Sequence, residues 1–505
     1  MSLPSYWMAT TTLPRLPKLE ENIKVDVAIV GGGLTGLTTA YLLKKAGRTV
    51  AVLERDRCAQ ADTGHTTAHL THVTDARLHE LVDRFGRDHA RAVWDAGRAA
   101  IEQIHTIVHE EKIECDFKWV PGFLHAPWKS EQPDDKLGKD ASLASELGFE
   151  AKLVDSVPLL GQPGIRFPQQ AKFHPQKYIL GLLNKIPGDG CYVFEQSEVE
   201  EFQDSPLNLK ANGYTITCDR IMIATHVPLM GNKGLLGATL FQSKISPYTS
   251  YTIGAQLPKG TAPEALFWDT SDPYRYLRID SHAQFDYVIY GGEDHKTGQA
   301  ARPEESFLRL EKDLIEILPE AKVDQRWSGQ VIVSVDGLPY IGETADRQFA
   351  ATAFCGNGIT FGTVAGLMMT DAVCGRKSPW KALFDPSRKK LSAVWDYLKE
   401  NIDYPYYMVR DRLARAEGDS VDGLKPGEGK ILKLGGERVA AFRSPAGKVT
   451  TLSPTCTHMG CFVRWNTADS TWDCPCHGSR FHPTGDVLAG PAEAPLAKAE
   501  TQENS

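Results

Sequence analysis

Four residues of the types that bind metals crowd together near the C-terminus of the chain. They lie in two short motifs, Cys456-Thr457-His458 and, after 15 further residues, Cys474-Pro475-Cys476-His477. Each motif can place one thiolate and one imidazole at the tip of a loop. Two such loops can hold a two-iron, two-sulfide cluster, with both cysteines on one iron and both histidines on the other. Zinc also accepts a Cys₂His₂ set, so these residues alone leave both metals open.

The other cysteines do not suggest a disulfide framework. The chain has 10 cysteines, and six of them are isolated, at positions 58, 115, 191, 218, 355 and 374. Isolated cysteines are typically small buried hydrophobic residues. The clustering of the remaining four within 456–476 therefore indicates a chemical site.

Length and charge restrict the possible classes of protein. A chain of 505 residues is too long for one compact core, so two or three domains are expected. The net charge of -8, without a long Lys/Arg run, argues against a nucleic-acid partner or an anionic membrane surface. The N-terminus lacks the apolar core of a secretory signal, and no apolar run is long enough to cross a membrane. We therefore expect a cytoplasmic protein with no transmembrane segment.

The C-terminal region resembles Rieske proteins, specifically the cytochrome bc kind, over about seventy residues. The resemblance rests on three stretches, which are 456–461 (CTHMGC), 474–479 (CPCHGS) and 490–492 (GPA). It implies a [2Fe–2S] cluster with the ligands Cys456, His458, Cys474 and His477. It also implies a disulfide that ties the two loops together, between Cys461 and Cys476, and a hydrogen bond from Ser479 to a cluster sulfide. Because several motifs coincide at the family's spacing, the cluster is favoured over zinc.

One departure from the Rieske pattern concerns the reduction potential. High-potential members carry a tyrosine two residues after the serine, whereas this chain has Phe481. Hydrogen bonds to the cluster sulfurs help to set Rieske potentials, which span roughly −150 to +300 mV. Since the tyrosine hydroxyl is missing, we expect a potential below that of the respiratory proteins.

A second motif, Gly31-x-Gly33-x-x-Gly36, lies near the N-terminus. It follows an apolar strand at 25–30 and opens a helix, and the next strand ends at Glu54. In such a βαβ unit the glycines allow a pyrophosphate to approach the helix N-terminus, and the acid binds a ribose hydroxyl. The pattern predicts a dinucleotide site that includes Glu54 and the adjacent Arg55.

Residues 20–380 resemble the D-amino-acid-oxidase-like family, which contains glycine and sarcosine oxidases. The resemblance rests on Glu198-Val199, Ala224-Thr225, 336–342 (DGLPYIG) and 356–360 (GNGIT). It implies that the dinucleotide is FAD, with Val199 near the adenine and Ala224 at the end of a strand. It further implies that the start of the late helix faces the flavin pyrimidine, through Gly356, Gly358, Ile359 and Thr360. A second Gly-rich unit for NAD(P) is not evident, so a nicotinamide-driven reductase is the weaker interpretation.

The segment 62–68 (DTGHTTA) lies where some relatives attach FAD through a histidine. His65 occupies the matching place, and Thr66 is predicted to contact the cofactor beside it. Gly64 stands where those relatives have a tryptophan, so covalent and non-covalent attachment both stay open. Release of flavin on acid precipitation would exclude the covalent form.

The residues expected to bind the substrate also depart from the pattern of that family. Amino-acid-oxidising members carry an arginine, which clamps the substrate carboxylate, five residues before the Asp-Gly pair; this chain has Val331. A simple α-amino acid is therefore disfavoured unless another arginine substitutes, the candidates being Arg275, Arg278 and Arg326. Aromatic residues of a predicted antiparallel sheet are candidates for the substrate cavity, namely Tyr251, Trp268, Tyr276 and Tyr290.

The predicted fold class is an α/β FAD-binding Rossmann-like domain with an α+β antiparallel-sheet substrate domain, plus a small all-β Rieske domain. The expected boundaries are a tail at 1–23, an oxidoreductase at 24–380, a helical connector at 381–423, the Rieske domain at 424–497 and a tail at 498–505. Within the oxidoreductase, FAD-binding parts are expected at about 24–75, 150–230 and 325–380, and substrate-domain parts at about 76–149 and 231–324.

The two resemblances together predict an FAD-dependent dehydrogenase. A flavin exchanges two electrons with organic molecules, whereas a Rieske cluster carries one. We expect oxidation of a small amine-type substrate by hydride transfer to flavin N5. Electrons would then pass singly through the cluster to an external acceptor, a protein or a quinone. In one alternative an external donor reduces the cluster and the flavin reduces a substrate; in another the Rieske domain is a docking or redox-sensing module of a flavin oxidase.

Overall fold

The computed structural model describes residues 4–129, 134–227, 244–388 and 403–499. The helices in these ranges are, in chain order, α1 (Tyr6–Thr10), α2 (Leu34–Lys45), α3 (Asp62–His65), α4 (Leu78–Phe85), α5 (Arg87–Glu111), α6 (Lys136–Glu146), α7 (Pro175–Leu183), α8 (Glu304–Ile317), α9 (Gly358–Val373), α10 (Lys381–Phe384) and α11 (Asp403–Leu413). The strands are β1 (Ile23–Val30), β2 (Val50–Leu53), β3 (His69–Leu70), β4 (Lys118–His125), β5 (Lys152–Val154), β6 (Gly164–Lys172), β7 (Tyr192–Phe194), β8 (Val199–Asp204), β9 (Leu207–Ala211), β10 (Tyr214–Ile223), β11 (Ile245–Pro258), β12 (Leu266–Asp269), β13 (Tyr276–Ser281), β14 (Phe285–Lys296), β15 (Lys322–Ser334), β16 (Tyr340–Ala345), β17 (Gln348–Thr352), β18 (Gly429–Leu434), β19 (Glu437–Arg443), β20 (Val449–Leu452), β21 (Arg464–Asn466), β22 (Thr471–Asp473), β23 (Arg480–Phe481) and β24 (Val487–Ala489).

The first sheet has a parallel centre. β1 lies between β2 and β10 and is parallel to both. The strand order is β16-β17-β10-β1-β2-β7; in addition, β9 pairs with β10, and β8 pairs with β9. Both faces are buried, since Val27 and Ile29 belong to one apolar cluster and Ala28 and Val30 to another. Burial on both faces explains the uninterrupted apolar run of β1, which is typical of parallel strands. The prediction of a Rossmann-like α/β domain is confirmed.

The second sheet is mainly antiparallel and forms the substrate domain. Its order is β15-β11-β14-β13-β12-β4-β6-β3, with β5 joined to β6, and β12 with β4 is a parallel pair. The alternating aromatic segments that predicted this sheet lie in β11, β13 and β14. Helix α8 covers one face, where Leu310 and Leu314 enter the same apolar cluster as Tyr251 and Ile253.

The two sheets divide the chain differently from the expected boundaries. Strands β5 and β6, expected in an FAD-binding part, join the second sheet through β4, and β15 pairs along its length with β11. The two-residue strand β3 also joins β6. Alternating side chains identify a strand and its buried face, whereas its partner depends on long-range packing.

Residues 4–22, which the sequence analysis assigns to an N-terminal tail, pack against the first domain. Trp7 in α1 is buried, and its indole N–H donates to the carbonyl of Thr66 at 2.6 Å. Leu19 is also buried, and its N–H donates to Ser197 Oγ at 3.0 Å. Scattered prolines interrupt any periodic pattern in this segment, so single contacts hold it and no sequence period indicates them.

The C-terminal module is all-β, as predicted. It contains a three-stranded antiparallel sheet, β18-β19-β20, and a four-stranded one, β21-β22-β23-β24. Trp472 and Phe481 are fully buried in its core beside the motif cysteines. Of the predicted connector, α10 and α11 are helical, whereas 389–402 lie outside the described residues. Tyr407 and Met408 of α11 pack on the core of the C-terminal module.

Candidate cofactor cavity and cluster site

The glycine motif forms the tight turn between β1 and α2. Gly31 has φ +108°, and a Cβ at this position would lie 2.5 Å from the carbonyl oxygen of Ala224. A Cβ at Gly36 would lie only 2.0 Å from the carbonyl oxygen of Gly31. Gly33 is the N-cap residue of α2. The turn therefore requires glycine for backbone conformation at Gly31 and for close packing of helix on strand at Gly36.

Glu54 lies at the end of β2, beside this turn. Its carboxylate accepts hydrogen bonds from the N–H of Gly32 at 2.8 Å and from the N–H of Asp56 at 2.9 Å. Burial raises the pKa of Glu54, while the two N–H donors oppose that change. The carboxylate is thus held at the cavity wall, where the resemblance predicts a ribose.

A cavity of about 590 Å³ extends from the glycine turn to the start of α9. Most of the predicted FAD-binding residues line it, namely Gly31, Gly33, Glu54, Arg55, His65, Thr66, Val199, Ala224, Gly356, Gly358 and Ile359. Gly36 and Thr360 do not. Gly36 acts through packing, and the Thr360 hydroxyl donates to the carbonyl of Thr71 at 3.1 Å. A long cavity with a glycine turn at one end and a helix N-terminus at the other fits FAD.

His65 and Thr66 lie at the end of the short helix α3. The His65 Nδ1 atom is 2.8 Å from the carbonyl oxygen of Ala61, and Thr66 Oγ1 accepts from the N–H of Ala68 at 3.1 Å. Trp327 donates its indole N–H to the carbonyl of His65 at 2.9 Å. These bonds hold His65 at the cavity wall, and covalent attachment of FAD stays a prediction.

Two carboxylates at the cavity wall were not identified from the sequence. Asp75 lies against Gly356, where a Cβ would come within 2.2 Å of its Oδ2 atom, and it accepts from the Tyr274 hydroxyl at 3.2 Å. Loss of hydration and, to a smaller extent, the nearby Asp294 carboxylate together raise the pKa of Asp75 to about 7. Loss of hydration also raises the pKa of Asp294 to about 6. Neither Asp75 nor Asp294 belongs to a recognisable motif, and only the fold brings them together.

None of the candidate arginines lines the cavity among the described residues. Arg278 is buried and donates to Asp280 at 3.0 Å and to the carbonyls of Ala68 and Phe173. Arg275 pairs with Glu293, and Arg326 donates to Glu311 at 2.6 Å. Val331, at the position of the family's carboxylate clamp, does line the cavity. A substitute clamp is therefore not found at these positions.

The aromatic candidates divide into two groups. Trp268 and Tyr276 line the cavity, as predicted, together with Tyr274. Tyr251 and Tyr290 are instead buried in the apolar cluster under α8. Neighbouring residues on a strand face opposite sides of the sheet, and the sequence does not show which side borders the cavity.

The two predicted cluster loops lie side by side in the C-terminal module. The rings of His458 and His477 are 4.8 Å apart between centroids, and the side chains of Cys456 and Cys474 interact directly. Cys474 and nearby backbone N–H groups lower the pKa of Cys456 to about 7, against the effect of burial. Two adjacent thiols beside two adjacent imidazoles form a donor set that fits a [2Fe–2S] cluster of the Rieske type.

A disulfide joins Cys461 to Cys476, the pairing that the Rieske resemblance implies. The sulfur atoms of this disulfide and that of Cys474 all lie within 4.8 Å of one another, so the cross-link is next to the ligand set. The buried Ser479 hydroxyl accepts from the N–H of Ala492 at 3.0 Å. That bond leaves the hydroxyl proton available to donate, and Ser479 contributes to the lowered pKa of Cys456.

Phe481 supports a test of the expected potential. It is fully buried beside the motif cysteines. Replacing Phe481 with tyrosine should restore a donor near the sulfurs and raise the reduction potential. A net hydrogen bond of about 1 kcal/mol corresponds to a rise on the order of 40 mV for a one-electron couple. A redox titration followed by EPR measures the change; a wild-type potential near the upper end of the Rieske range would contradict the expectation.

The second cluster loop is docked on the oxidoreductase. Gln299 donates to the carbonyl of Pro475 at 3.0 Å, and Gln330 donates to the carbonyl of Gly478 at 2.8 Å. A Cβ at Gly478 would lie 2.1 Å from Pro247 Cγ, so the surfaces are in close contact. Gln330 is also part of the cavity wall. One side chain therefore connects the predicted FAD cavity to the loop that carries His477.

Other contacts extend this interface. Ser328 donates to Asp469 at 2.6 Å, and Arg55 donates to the carbonyl of Leu488 in β24 at 3.1 Å. Residues 488–490, 492 and 493 of the C-terminal module line the cavity. In the first cluster loop, Met459 is 44% exposed.

The geometry defines a flavoprotein fused to an iron–sulfur module, and comparison with known families agrees. The family described as FAD dependent oxidoreductase matches residues 26–372, and the Rieske [2Fe-2S] domain matches residues 417–500. The chain belongs to the FAD-dependent oxidoreductase family and carries a C-terminal Rieske domain. It is therefore an oxidoreductase whose two modules bind FAD and a [2Fe–2S] cluster, as predicted.

Individual relatives show the same combination or its first part. YhfW of Bacillus subtilis (strain 168), named as a Rieske 2Fe-2S iron-sulfur protein, is 32% identical over 504 residues, covering 98% of this chain and 97% of its own. Gamma-glutamylputrescine oxidoreductase of Escherichia coli (strain K12) is 22% identical and covers 79% of this chain and 94% of its own. Glycine oxidase from Geobacillus kaustophilus has a similar fold, with a TM-score of 0.61 and 17% identity over 73% of this chain and 100% of its own.

Among the described residues, no helix has the length and apolar character needed to span a bilayer.

Proposed function

We propose that the chain is a dehydrogenase that oxidises a small amine-type substrate and delivers the electrons singly to an external acceptor. The observation that carries this proposal is the docking of the His477 loop on the wall of the FAD cavity. When bound, the flavin accepts a hydride from a C–H next to nitrogen, and the cluster carries one electron at a time. A shared wall between the two sites favours a route within one chain.

The orientation of the two cluster loops supports an outward route as well. Gln299 and Gln330 hold the second loop against the oxidoreductase, while Met459 leaves part of the first loop exposed. An external carrier can therefore contact the exposed Met459 without displacing the interface. The missing carboxylate clamp and the similarity to the relative named gamma-glutamylputrescine oxidoreductase support an amine-type substrate.

Anaerobic mixing of the full-length holoprotein with a panel of alkylamines and diamines tests this function. We expect substrate to bleach the flavin absorbance and then to produce the EPR signal of the reduced cluster. Added ferricyanide or cytochrome c should sustain turnover faster than oxygen does. A flavin that bleaches while the cluster stays oxidised through many turnovers would contradict the proposal and favour a docking or sensing module. Flavin oxidation by a substrate after an external donor has reduced the cluster would favour the reverse direction.

The interface itself yields a separate prediction. The double variant Gln299→Ala, Ser328→Ala removes one interdomain hydrogen bond at each end of the docked surface. With about 1 kcal/mol for each bond, we expect reduction of the external acceptor to slow by up to about 30-fold. Flavin bleaching by substrate should keep its rate, because neither side chain is needed for the hydride step.

Stopped-flow absorbance separates these two rates. Ser142→Ala is a matched control, since Ser142 lies on the exposed side of α6 and bonds only locally to the carbonyl of Gly138. Equal slowing of flavin bleaching and acceptor reduction would show that the double variant damages the oxidoreductase and does not act at the interface.

A further inference from the structure

One part of the cavity wall combines acids with aromatic rings. We call it the acidic–aromatic wall, and it consists of Asp75, Asp294, Trp268, Tyr274 and Tyr276. Asp75 accepts from the Tyr274 hydroxyl at 3.2 Å, and the rings of Tyr274 and Tyr276 are 5.7 Å apart. The Tyr276 hydroxyl is 2.7 Å from Ser250 Oγ, which holds this ring in place. The wall thus presents two carboxylates and several aromatic faces to the same space.

The charges around the wall do not balance. The arginines that line the cavity, Arg55 and Arg57, follow β2 and pair with Asp56 and Glu195 respectively. Near Asp294, Arg275, which directly precedes β13, pairs with Glu293. The Ser250 hydroxyl, a neutral donor, interacts with the Asp294 carboxylate, but its buried Oδ1 atom accepts no hydrogen bond from the described residues. A buried carboxylate oxygen without a donor is costly, so a ligand that donates hydrogen bonds and carries positive charge would stabilise the site.

The other groups that face the two acids do not supply that charge. Asp75 is faced by Asp294 and Tyr274. Asp294 is faced by the neutral Ser250 hydroxyl and by Arg275, and also by two further acids, Glu293 and Asp272. His69, whose ring is 5.9 Å from that of Tyr276, is neutral because burial lowers its pKa to about 3. Aromatic faces attract alkylammonium ions, whereas a substrate carboxylate would meet only acids here.

We propose that the acidic–aromatic wall is a subsite for the ammonium group of an aliphatic amine that carries no carboxylate near that group. The inference rests on the proposed amine-oxidising function and identifies the part of the substrate that the chain recognises. Asp294 supplies the unpaired acceptor, Asp75 the second negative charge, and the rings exclude water around the alkyl part. The class of substrate is therefore an alkylamine or polyamine and not an α-amino acid.

An equilibrium binding test uses a probe that cannot be oxidised. The carbon next to nitrogen in tert-butylammonium has no hydrogen, and pivalate is its carboxylate counterpart of similar shape. Anaerobic titration of the holoprotein at pH 8, followed by the visible flavin spectrum, should show binding of tert-butylammonium and weak or no binding of pivalate. Asp294→Asn should raise the dissociation constant of tert-butylammonium by about 10- to 100-fold, as expected for a lost charge-assisted bond.

The pH dependence gives an independent readout. Because both acids have raised pKa values, they lose protons as pH rises from 5 to 8, and the protonated probe should bind more tightly over that interval. In Asp294→Asn this gain should be reduced. Asp294→Glu keeps the negative charge and should bind tert-butylammonium more tightly than Asp294→Asn does. This second variant keeps the test decisive if the asparagine side chain disturbs folding. Asp95→Asn, on α5 and away from the cavity wall, should behave as wild type.

Tighter binding of pivalate than of tert-butylammonium, or an unchanged affinity in both Asp294 variants, would overturn the subsite. The readout needs neither turnover nor an intact cluster. The binding result would therefore hold even if the chain did not deliver electrons to an external acceptor. Conversely, a negative binding result would not contradict the proposed delivery of electrons.

Discussion

Replacing Cys474 with serine is expected to remove iron from the C-terminal module while FAD stays bound. Cys474 is almost fully buried beside Cys456 and the disulfide, so no solvent ligand can readily take its place. A serine hydroxyl is a much poorer ligand for this kind of cluster than a thiolate. We expect the iron content to fall from about two atoms per chain to near zero. Delivery of electrons to ferricyanide or cytochrome c should fall to background.

Metal analysis, the EPR signal after reduction and the ratio of FAD to protein measure this outcome. Cys374→Ser is a matched control, since Cys374 is a free cysteine at the end of α9, away from the ligand set. If Cys474→Ser retained two irons, the predicted ligand set would be wrong. Detection of zinc in place of iron in the wild-type protein would show that the four ligand residues bind the alternative metal.

The second large effect is expected at Gly36. An alanine there would place its Cβ 2.0 Å from the carbonyl oxygen of Gly31, and that contact is backbone, so no side chain can rotate away. Either α2 must move from β1 or the turn must open, and both changes distort the predicted pyrophosphate site. Overpacking of this kind costs typically about 1–3 kcal/mol, and here we expect the upper end of that range or more. FAD should be largely lost on gel filtration.

Urea unfolding and the FAD content after purification test the Gly36→Ala prediction. Gly138→Ala in α6 is a suitable control, because a Cβ there meets nothing within 4 Å and φ is not positive. Alanine in a helix interior should leave that variant unchanged or more stable by up to about 1 kcal/mol. Full FAD occupancy with an unchanged urea midpoint in Gly36→Ala would show that the turn tolerates the added atom.

Both large effects concern features that local sequence predicts well. The glycine turn depends on backbone conformation and on contacts within one βαβ unit, so Gly31 and Gly36 indicate it directly. The cluster loops depend on the spacing of cysteine and histidine within each motif. Helix α8 is a further feature of this kind, because its buried apolar residues, Phe307, Leu310 and Leu314, recur at helical spacing.

Other features were not predictable in this way. Trp7 and Leu19 bury an N-terminal segment that has no periodic pattern. Strand β6 could be identified as a strand, but its pairing with β4 places it in a different sheet from the expected one. In both cases the deciding contacts join residues far apart in the chain, and local propensity carries no information about them.

Residue types at short spacing are sufficient to identify the two cofactor motifs, the all-β character of the C-terminal module and the absence of an arginine at the clamp position. Long-range packing is needed to show that Asp75 and Asp294, 219 positions apart, border one cavity, and that Gln330 connects that cavity to the His477 loop. Those arrangements arise when sheets and domains pack together, and packing depends on the shapes of distant surfaces that no local pattern records.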